Sequence, residues 1–288
     1  INCTTISICD SQSLGSITAS KTETLGGFIG DLFNIQSVTI THSHHRGPLT
    51  LKESPDIVVG GFIGYYTSAM NIIIVPTILV SDCSNYGDII SDNEASVLGG
   101  LVGNVNRTIN IDIVLERSAN FGAVRALNPA GSVGGLVGCM EDNIAFDVFI
   151  RECANHGLVY SGVSKSSDPN GVGGLIGSVV DNGNLTIDLY SFENYGPIVS
   201  SSGNNMAGGL IGRFVGNGMS TLLVKEVLNN NTVNASGEKN DLGGLIGRMC
   251  ENPLVSVKFV DIINNGYIHT VDRVVEPLET IYTELKSQ

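Results

Sequence analysis

Two aspartates, Asp112 and Asp147, occupy the same position in two similar stretches of the chain, each between two large apolar residues. Their separation equals one unit of a longer repeat, so in stacked coils the two carboxylates would lie about 5 Å apart. Like charges at that distance raise one pKa or attract a cation. The pair therefore suggests a Ca²⁺ site, or the paired carboxylates with which β-helical enzymes cleave polysaccharides, or simply a structural surface.

The charges next to this pair favour the structural interpretation. In the same alignment Glu116 lies beside Arg151, and Arg117 lies beside Glu152. Opposite charges on neighbouring strands compensate one another on an outer face. We therefore predict no catalytic residue and no cofactor, with calcium at Asp112 and Asp147 as the metal that the pattern would allow.

One cluster of histidines, His42, His44 and His45, lies near the N-terminal end of the chain. On a strand His42 and His44 would share a face and could form a pair of Zn²⁺ or Cu²⁺ ligands. No third ligand is assigned nearby, and Gly47-Pro48 predicts a loop. We interpret the three residues as solvated loop histidines.

A column of four rings follows a recurring asparagine, at Tyr86, Phe121, His156 and Tyr195. An exposed row of rings could hold sugar rings, and a stacked row could instead stabilise a corner of the fold. We favour the packing ladder.

These residues belong to a repeat that is marked by a pentapeptide: Gly-Gly, a large apolar residue, Ile or Val, and Gly. Its seven copies follow one another at steps of 34, 39, 35, 39, 35 and 35 residues and begin at Gly26, Gly60, Gly99, Gly134, Gly173, Gly208 and Gly243. A period of this length indicates a repeat architecture, in which each unit buries its apolar face against its neighbours.

A second landmark is an asparagine 21 residues after the first glycine of most copies. It recurs at Asn85, Asn120, Asn155, Asn194, Asn229 and Asn264. Glycine stands two residues later in most units, and Asn and Gly are the residues that most readily form sharp corners. Asparagines at one corner of stacked coils can bond to one another, so we predict a structural corner ladder.

Before each corner the apolar residues alternate with polar ones, as in Leu185, Ile187 and Leu189. Alternation with period 2 predicts a strand with one buried face. The fold class that follows is all-β: a right-handed parallel β-helix, or β-solenoid, of about seven coils of 35 residues. A seven-bladed propeller is the alternative, but about 35 residues is short for a four-stranded blade.

The repeats divide the chain into three parts. Residues 1–25 look like an incomplete first coil or N-terminal cap, and residues 26–271 carry the repeats. Within residues 272–288, Leu278, Ile281, Tyr282 and Leu285 form an apolar stripe at helical spacing after Pro277. This predicts a short C-terminal helix that caps the last coil or begins a linker.

Composition excludes some partners. The net charge of −13 argues against nucleic acid and anionic membrane surfaces. The longest apolar run, residues 72–80, is too short for membrane insertion.

The cysteines offer one possible disulfide. Cys83 and Cys153 share a column two repeats apart, which is too far for a disulfide, whereas Cys3 and Cys9 could pair. Because the chain begins at Ile1, we expect a processed or excerpted segment.

Five asparagines start the Asn-x-Ser/Thr pattern of N-glycosylation: Asn2, Asn106, Asn184, Asn230 and Asn234. Roughly that many are expected by chance in a chain so rich in asparagine. They are therefore compatible with secretion but do not argue strongly for it.

The pentapeptide resembles the GLUG motif, Gly-Leu-hydrophobic-Gly. The match is direct in five copies, with Leu101, Leu136, Leu175, Leu210 and Leu245 at the second position, while Phe28 and Phe62 replace leucine in the first two. Residues 83–89, Cys-Ser-Asn-Tyr-Gly-Asp-Ile, also look like the corner of that repeat.

GLUG repeats are known from surface-exposed proteins, including immunoglobulin-A-cleaving metalloproteases and adhesin-like proteins. The resemblance implies a non-catalytic stalk or binding surface, and the zinc-protease signature His-Glu-x-x-His does not occur in this sequence. We therefore expect a non-enzymatic extracellular or cell-surface domain that acts as a rigid spacer or adhesive surface for proteins or glycans. The alternatives are a carbohydrate-binding or polysaccharide-cleaving β-helix, and a filament subunit that associates end to end.

Overall fold

The chain folds into a parallel β-solenoid of about seven turns of about 35 residues. The computed structural model describes residues 4–53, 57–68, 75–94, 96–128, 130–162, 170–201, 205–236, 240–270, 274–275 and 284–285. Within these ranges the regular structure is entirely β, and no membrane-crossing helix occurs there. The stacked parallel pairing excludes the propeller.

Each turn contributes strands to four parallel sheets, here numbered in chain order within a turn. Sheet 1 contains Thr5–Cys9, Gln12–Ser13, Ser37–Thr41, His44–His45, Thr77–Ser81, Ser84–Asn85, Val102–Glu116, Ala119–Asn120, Ile144–Arg151, Ala154–Asn155, Gly183–Tyr190, Glu193–Asn194, Met219–Asn229, Leu254–Asn264 and Glu284–Leu285. Sheet 2 contains Ile17–Ser20, Leu49–Lys52, Ile89–Ser91, Val124–Ala126, Val159–Ser161, Ile198–Ser200, Val233–Ala235, Ile268–Thr270 and Val274–Val275.

The pentapeptide connects the other two sheets. Sheet 3 contains Thr24–Gly26, Val58–Gly60, Ser96–Gly99, Ala130–Gly134, Asn170–Gly173, Asn205–Gly208 and Asp241–Gly243. Sheet 4 contains Ile29–Phe33, Ile63–Ser68, the first part of Val102–Glu116, Val137–Glu141, Ile176–Val180, Ile211–Val215 and Ile246–Cys250. Sheet 4 leads into sheet 1, and the 15-residue strand Val102–Glu116 spans both.

Alternation in the sequence sets the register of the stack. In Gly183–Tyr190 the residues Leu185, Ile187 and Leu189 are buried, and the residues between them face outward. A slip of one residue would turn this apolar set into solvent, so identical patterns in successive turns hold each strand in one register. Asp147 accordingly pairs with Asp112 on one side and with Thr186 on the other.

The apolar side chains form two separate cores rather than one. Sheets 1 and 4 enclose the larger core, which includes Phe146, Ile187 and Val179. Sheets 2 and 3 enclose the smaller one, which includes Val159 and Val172. The cross-section therefore has two lobes, and the waist between them is where the pentapeptide meets the recurring asparagine.

The C-terminal segment differs from the predicted helix where it is described. Val274–Val275 pairs antiparallel with Ile268–Thr270, and Glu284–Leu285 pairs antiparallel with Leu254–Asn264. The open edge of a last strand offers unpaired N–H and C=O groups, which an extended segment can satisfy. The rest of the predicted stripe, residues 278–283, lies outside the described residues.

Candidate binding surface

The waist of the cross-section is filled by a buried asparagine ladder, which we call the waist ladder. Its members are Asn85, Asn120, Asn155, Asn194, Asn229 and Asn264. The Nδ2 atoms of the first five donate to the Oδ1 of the asparagine one coil further on, at 2.8–3.2 Å. From Asn85 to Asn229 the side chains are completely buried. The predicted corner asparagines thus lie inside the molecule, where they satisfy one another's polar groups.

The waist ladder explains the second glycine of the pentapeptide. A Cβ atom on Gly135 would lie 2.5 Å from Cγ of Asn155 and 2.1 Å from the carbonyl oxygen of Gly174. Real Cβ atoms do not approach other atoms so closely, so only glycine fits between the ladder and the next coil. The glycine of the pentapeptide and the recurring asparagine are therefore the two partners of one packing contact.

We call the contribution of one coil to a sheet a rung. In the second rung of sheet 1, His45 occupies the position of the waist ladder and is in register with Asn85. It is completely buried and lies against Gly27, as each asparagine lies against its own glycine. Burial lowers the pKa of His45, and the nearby backbone at Gly47 opposes this effect only in part. The interpretation of this histidine as a solvated loop residue is wrong. Before Gly47-Pro48 the chain forms the same corner as in the later coils, and His45 takes the buried position that an asparagine of the waist ladder holds there.

The other two histidines do not join it in a metal site. His42 has a backbone φ of 48°, which interrupts the alternation and removes the shared face expected with His44. Its Nε2 lies 4.0 Å from Oδ2 of Asp82, at an exposed position. Among the described residues no group of three His, Cys, Asp or Glu side chains is placed to hold a metal ion.

A second asparagine ladder, which sequence reasoning missed, lies at the bend between sheets 4 and 1. It contains Asn143, Asn182, Asn217 and Asn252, and it begins at Thr108. The Oδ1 atoms of Asn182, Asn217 and Asn252 each accept two hydrogen bonds from the asparagine one coil earlier, one from its backbone N–H and one from its Nδ2. For example, the backbone nitrogen and Nδ2 of Asn143 lie 3.1 and 2.9 Å from Oδ1 of Asn182. The available signal was an asparagine nine residues after the first glycine in four successive copies.

The four predicted rings form a continuous outer stack. Successive centroids are 4.9, 4.7 and 5.1 Å apart from Tyr86 to Tyr195, with interplanar angles of 6°, 1° and 7°. The Arg46 guanidinium lies 4.7 Å from the centroid of Tyr86 and covers the free face at that end. Sugar rings bind to open aromatic faces. Because neighbouring rings cover each other's faces, the geometry favours packing over sugar binding here.

Asp112 and Asp147 lie in register on the outer face of sheet 1. Partial burial, and next the charge of Asp147, raise the pKa of Asp112. The hydroxyl-bearing residues Thr77 and Thr186 continue the same column on either side. The two carboxylates supply at most four of the six to eight oxygens that Ca²⁺ takes, so a calcium ion here would need further ligands from the flanking hydroxyls or from water.

The ion pairs around this column differ in part from the expected ones. Glu116 is in register with Arg151, as predicted. Arg117, however, donates from Nε and Nη2 to the two carboxylate oxygens of Asp82, at 2.8 and 2.9 Å. Arg151 bonds Asp188 at 3.3 Å. The arginines reach neighbouring coils because their long side chains span one strand spacing. Among the described residues, no ion pair includes Asp112 or Asp147.

An open groove of about 590 Å³ lies on sheet 1 at the last three rungs, where the long strands begin. We call it the outer groove. Its lining includes Asn184, Thr186, Met219, Thr221, Leu254 and Ser256. Met219 and Leu254 are 60% and 63% exposed, unusually high for large apolar side chains. The described lining contains no ionisable side chain.

Three cysteines, Cys83, Cys139 and Cys153, act as buried apolar residues, whereas Cys9 is exposed and Cys250 is half-buried. Ser118 separates Cys83 from Cys153 in one column, and it accepts a hydrogen bond from the backbone N–H of Cys83 at 3.1 Å. Burial raises the pKa of the Cys83 thiol to about 11 and that of Cys153 to about 12. Both remain protonated at neutral pH and are therefore unreactive. The suggested Cys3–Cys9 pair involves Cys3, which lies outside the described residues.

Comparison of the chain with protein-family models, with curated proteins and with solved structures finds no match.

Proposed function

We propose that this chain is a non-catalytic extracellular or cell-surface repeat domain, which serves as a rigid spacer and offers its outer faces to proteins or glycans. The observation that carries the proposal is the double internal ladder. Two rows of hydrogen-bonded asparagines run along the stack, one at the waist and one at the bend between sheets 4 and 1. Such rows tie each coil to the next in a fixed register and oppose bending between coils.

The spacer would be short and stiff. Sheets 1 and 2 each contain eight rungs of parallel strands. Seven steps of about 4.8 Å give about 34 Å along the axis. A longer spacer would need further coils of the same kind, and repeat stacks accept them because each coil contacts only its neighbours.

The resemblance to GLUG repeats supports the same assignment. In the proteins from which that motif is known, the repeats form a stalk or a binding surface outside the cell. The five direct matches of this chain, from Gly100-Leu101 to Gly244-Leu245, lie at the waist, where they pack against the asparagine ladder.

A direct test is surface labelling of the intact cells that produce the chain. A membrane-impermeant amine reagent should modify Lys52 or Lys258 in whole cells to the same extent as in lysed cells. Labelling that appears only after lysis would contradict the proposed location. A cytosolic protein measured in the same samples provides the control.

Polysaccharide binding or cleavage at Asp112 and Asp147 is the second candidate. It is favoured by the register of the two carboxylates and by the raised pKa of Asp112, which suits a general acid. Replacing both with asparagine should abolish any turnover or binding of polysaccharide, while Asp188→Asn on the same face should not. Unchanged turnover in the double variant would remove this candidate.

End-to-end association is a third arrangement, and the structure offers one feature against it. In the last coil, sheets 1 and 2 already carry antiparallel partners at 284–285 and 274–275. A second copy would have to displace both segments before it could add its own first rung. Light scattering across a concentration series should therefore give the mass of one chain.

A further inference from the structure

One N-glycosylation sequence, Asn184-Leu185-Thr186, coincides with the outer groove. Asn184, Leu185 and Thr186 all line the groove, and the side chain of Leu185 is buried in the core. Asn184 is exposed and has a φ of 52°, so it stands at an outward bend before the strand continues. Its side chain makes no hydrogen bond with any residue that the structure describes. The amide is therefore presented to solvent.

The other acceptor sequences are placed less favourably. Nδ2 of Asn106 donates to Oε1 of Glu141 at 2.8 Å, so the atom that would be modified is engaged. Oδ1 of Asn230 accepts a hydrogen bond from Asn265 at 2.9 Å.

Two acceptor sequences remain. Asn234 is half-buried in the middle of the strand Val233–Ala235, so its amide is less accessible than that of Asn184. Asn2 lies outside the described residues.

The groove beside Asn184 has the chemistry of a surface that covers a neutral sugar. Met219 and Leu254 offer apolar surface for the C–H face of a pyranose ring, and their exposure is otherwise unfavourable in water. Thr186, Thr221 and Ser256 stand in register, so their hydroxyls form a row one strand apart. Hydroxyls can donate to and accept from sugar hydroxyls. The absence of ionisable groups from the described lining fits an uncharged occupant in a chain of net charge −13.

We propose that Asn184 carries an N-linked glycan, and that its first sugars lie in the outer groove over Met219 and Leu254. The inference rests on the proposed extracellular location, because the modification needs a lipid-diphosphate-linked oligosaccharide and its transferase. In the reaction, Nδ2 of Asn184 bonds to the anomeric carbon of the oligosaccharide and the bond from that carbon to the diphosphate oxygen breaks. The amide loses one proton and the lipid diphosphate leaves.

Site occupancy is the first test. The chain is produced through the secretory pathway of a eukaryotic cell, purified from the medium and treated with a glycan-releasing amidase in ¹⁸O-labelled water. The conversion of asparagine to labelled aspartate is then counted by mass spectrometry. More than half of the molecules should be converted at position 184, with less conversion at 106. Secreted protein that is unmodified at Asn184 would overturn the proposal.

A matched pair of variants tests where the sugar lies. Thr186→Ala removes the acceptor sequence, whereas Thr186→Ser preserves it and changes the groove by one methyl group. The Ala variant should bind an apolar fluorescent dye at least twofold more strongly than the Ser variant, because Met219 and Leu254 are uncovered. In a Met219→Ser/Leu254→Ser background the two should bind equally. Equal binding in the original background would exclude a sugar in the groove even where Asn184 is occupied.

The two proposals fail in different measurements. Absence of the chain from the surface of its own cells contradicts the extracellular function. An unmodified Asn184 in protein recovered from the medium contradicts only the glycan site.

Discussion

At the scale of single residues, the stack depends on side chains that can both donate and accept. An asparagine amide has an oxygen that accepts and a nitrogen that donates, so identical residues in register satisfy one another indefinitely. Asn155 illustrates this, since it accepts from Asn120 and donates to Asn194, each at 3.0 Å. Removal of one member leaves unsatisfied groups on both sides, and buried polar groups without partners are costly.

Asn155→Ala should therefore lower the free energy of unfolding by about 2–4 kcal/mol, because Asn120 loses its acceptor and Asn194 loses its donor. Urea denaturation followed by circular dichroism measures the change. Asn234→Ala is the matched control, since that asparagine faces outward from sheet 2, and it should cost less than about 0.5 kcal/mol. Equal losses in the two variants would show that the waist ladder contributes nothing specific.

His45 makes the N-terminal coils sensitive to pH. In the folded chain the pKa of His45 lies below its ordinary value of 6.5, so the unfolded chain binds the proton more readily. Stability from this residue is complete above about pH 7 and is lost as the pH falls through 6.5 toward the lower folded pKa. The steepest loss is about 1.4 kcal/mol per pH unit.

His45→Asn should remove this dependence, because asparagine is uncharged and matches the ladder. Hydrogen exchange of Ser37–Thr41 and Leu49–Lys52, compared at pH 7.5 and 5.5 after correction for intrinsic rates, measures the effect. Wild-type protein should lose protection at the lower pH and the variant should keep it. Identical pH profiles in the two proteins would mean that His45 does not control these strands.

At the scale of elements, the bend of the pentapeptide is a steric requirement. The second glycine has the waist ladder on one side and the next coil's backbone on the other, as at Gly135. The first glycine is equally confined: a Cβ on Gly134 would lie 1.8 Å from the carbonyl oxygen of Val137. The strict spacing of the motif therefore reflects close backbone packing at one corner.

Gly135→Ala should destabilise the protein by at least about 3 kcal/mol, because the backbone must move to admit the methyl group. Gly183→Ala is the matched control in the next coil, since a Cβ there meets nothing within 4 Å. It should leave stability within about 0.5 kcal/mol of the wild type or raise it slightly. Thermal unfolding compares the two, and a mild effect at Gly135 would contradict the geometry of the waist.

The sequence predicted these elements to the extent that their signal repeats. Period-2 alternation located the long strands, and the pentapeptide located the bend between sheets 3 and 4. The prediction of a solvated His45 is wrong because the position of this residue in the waist ladder depends on its register with Asn85, which no local sequence pattern reveals. The partner of Arg117 was also unpredictable, since its side chain can reach coils on either side. The outer groove depends on where strands begin in three coils, which sequence alone does not determine.

At the scale of the whole molecule, in-register stacking converts local contacts into one stiff body. Nearest-neighbour contacts alone allow a repeat stack to bend or open between units. Here two apolar cores and two asparagine ladders cross every interface in the middle of the stack. The proposed spacer role needs this stiffness, because a spacer must keep its ends at a fixed separation.

The most direct measurement is the distance between two spin labels along one column of sheet 2. Thr18→Cys and Asn234→Cys occupy the same outward column, six steps apart. Replacing Cys3, Cys9 and Cys250 by serine leaves only buried native thiols. Pulsed electron resonance should give one narrow distance near 29 Å, six strand spacings of about 4.8 Å. A broad distribution, or a main distance far outside 25–35 Å, would contradict the rigid in-register stack.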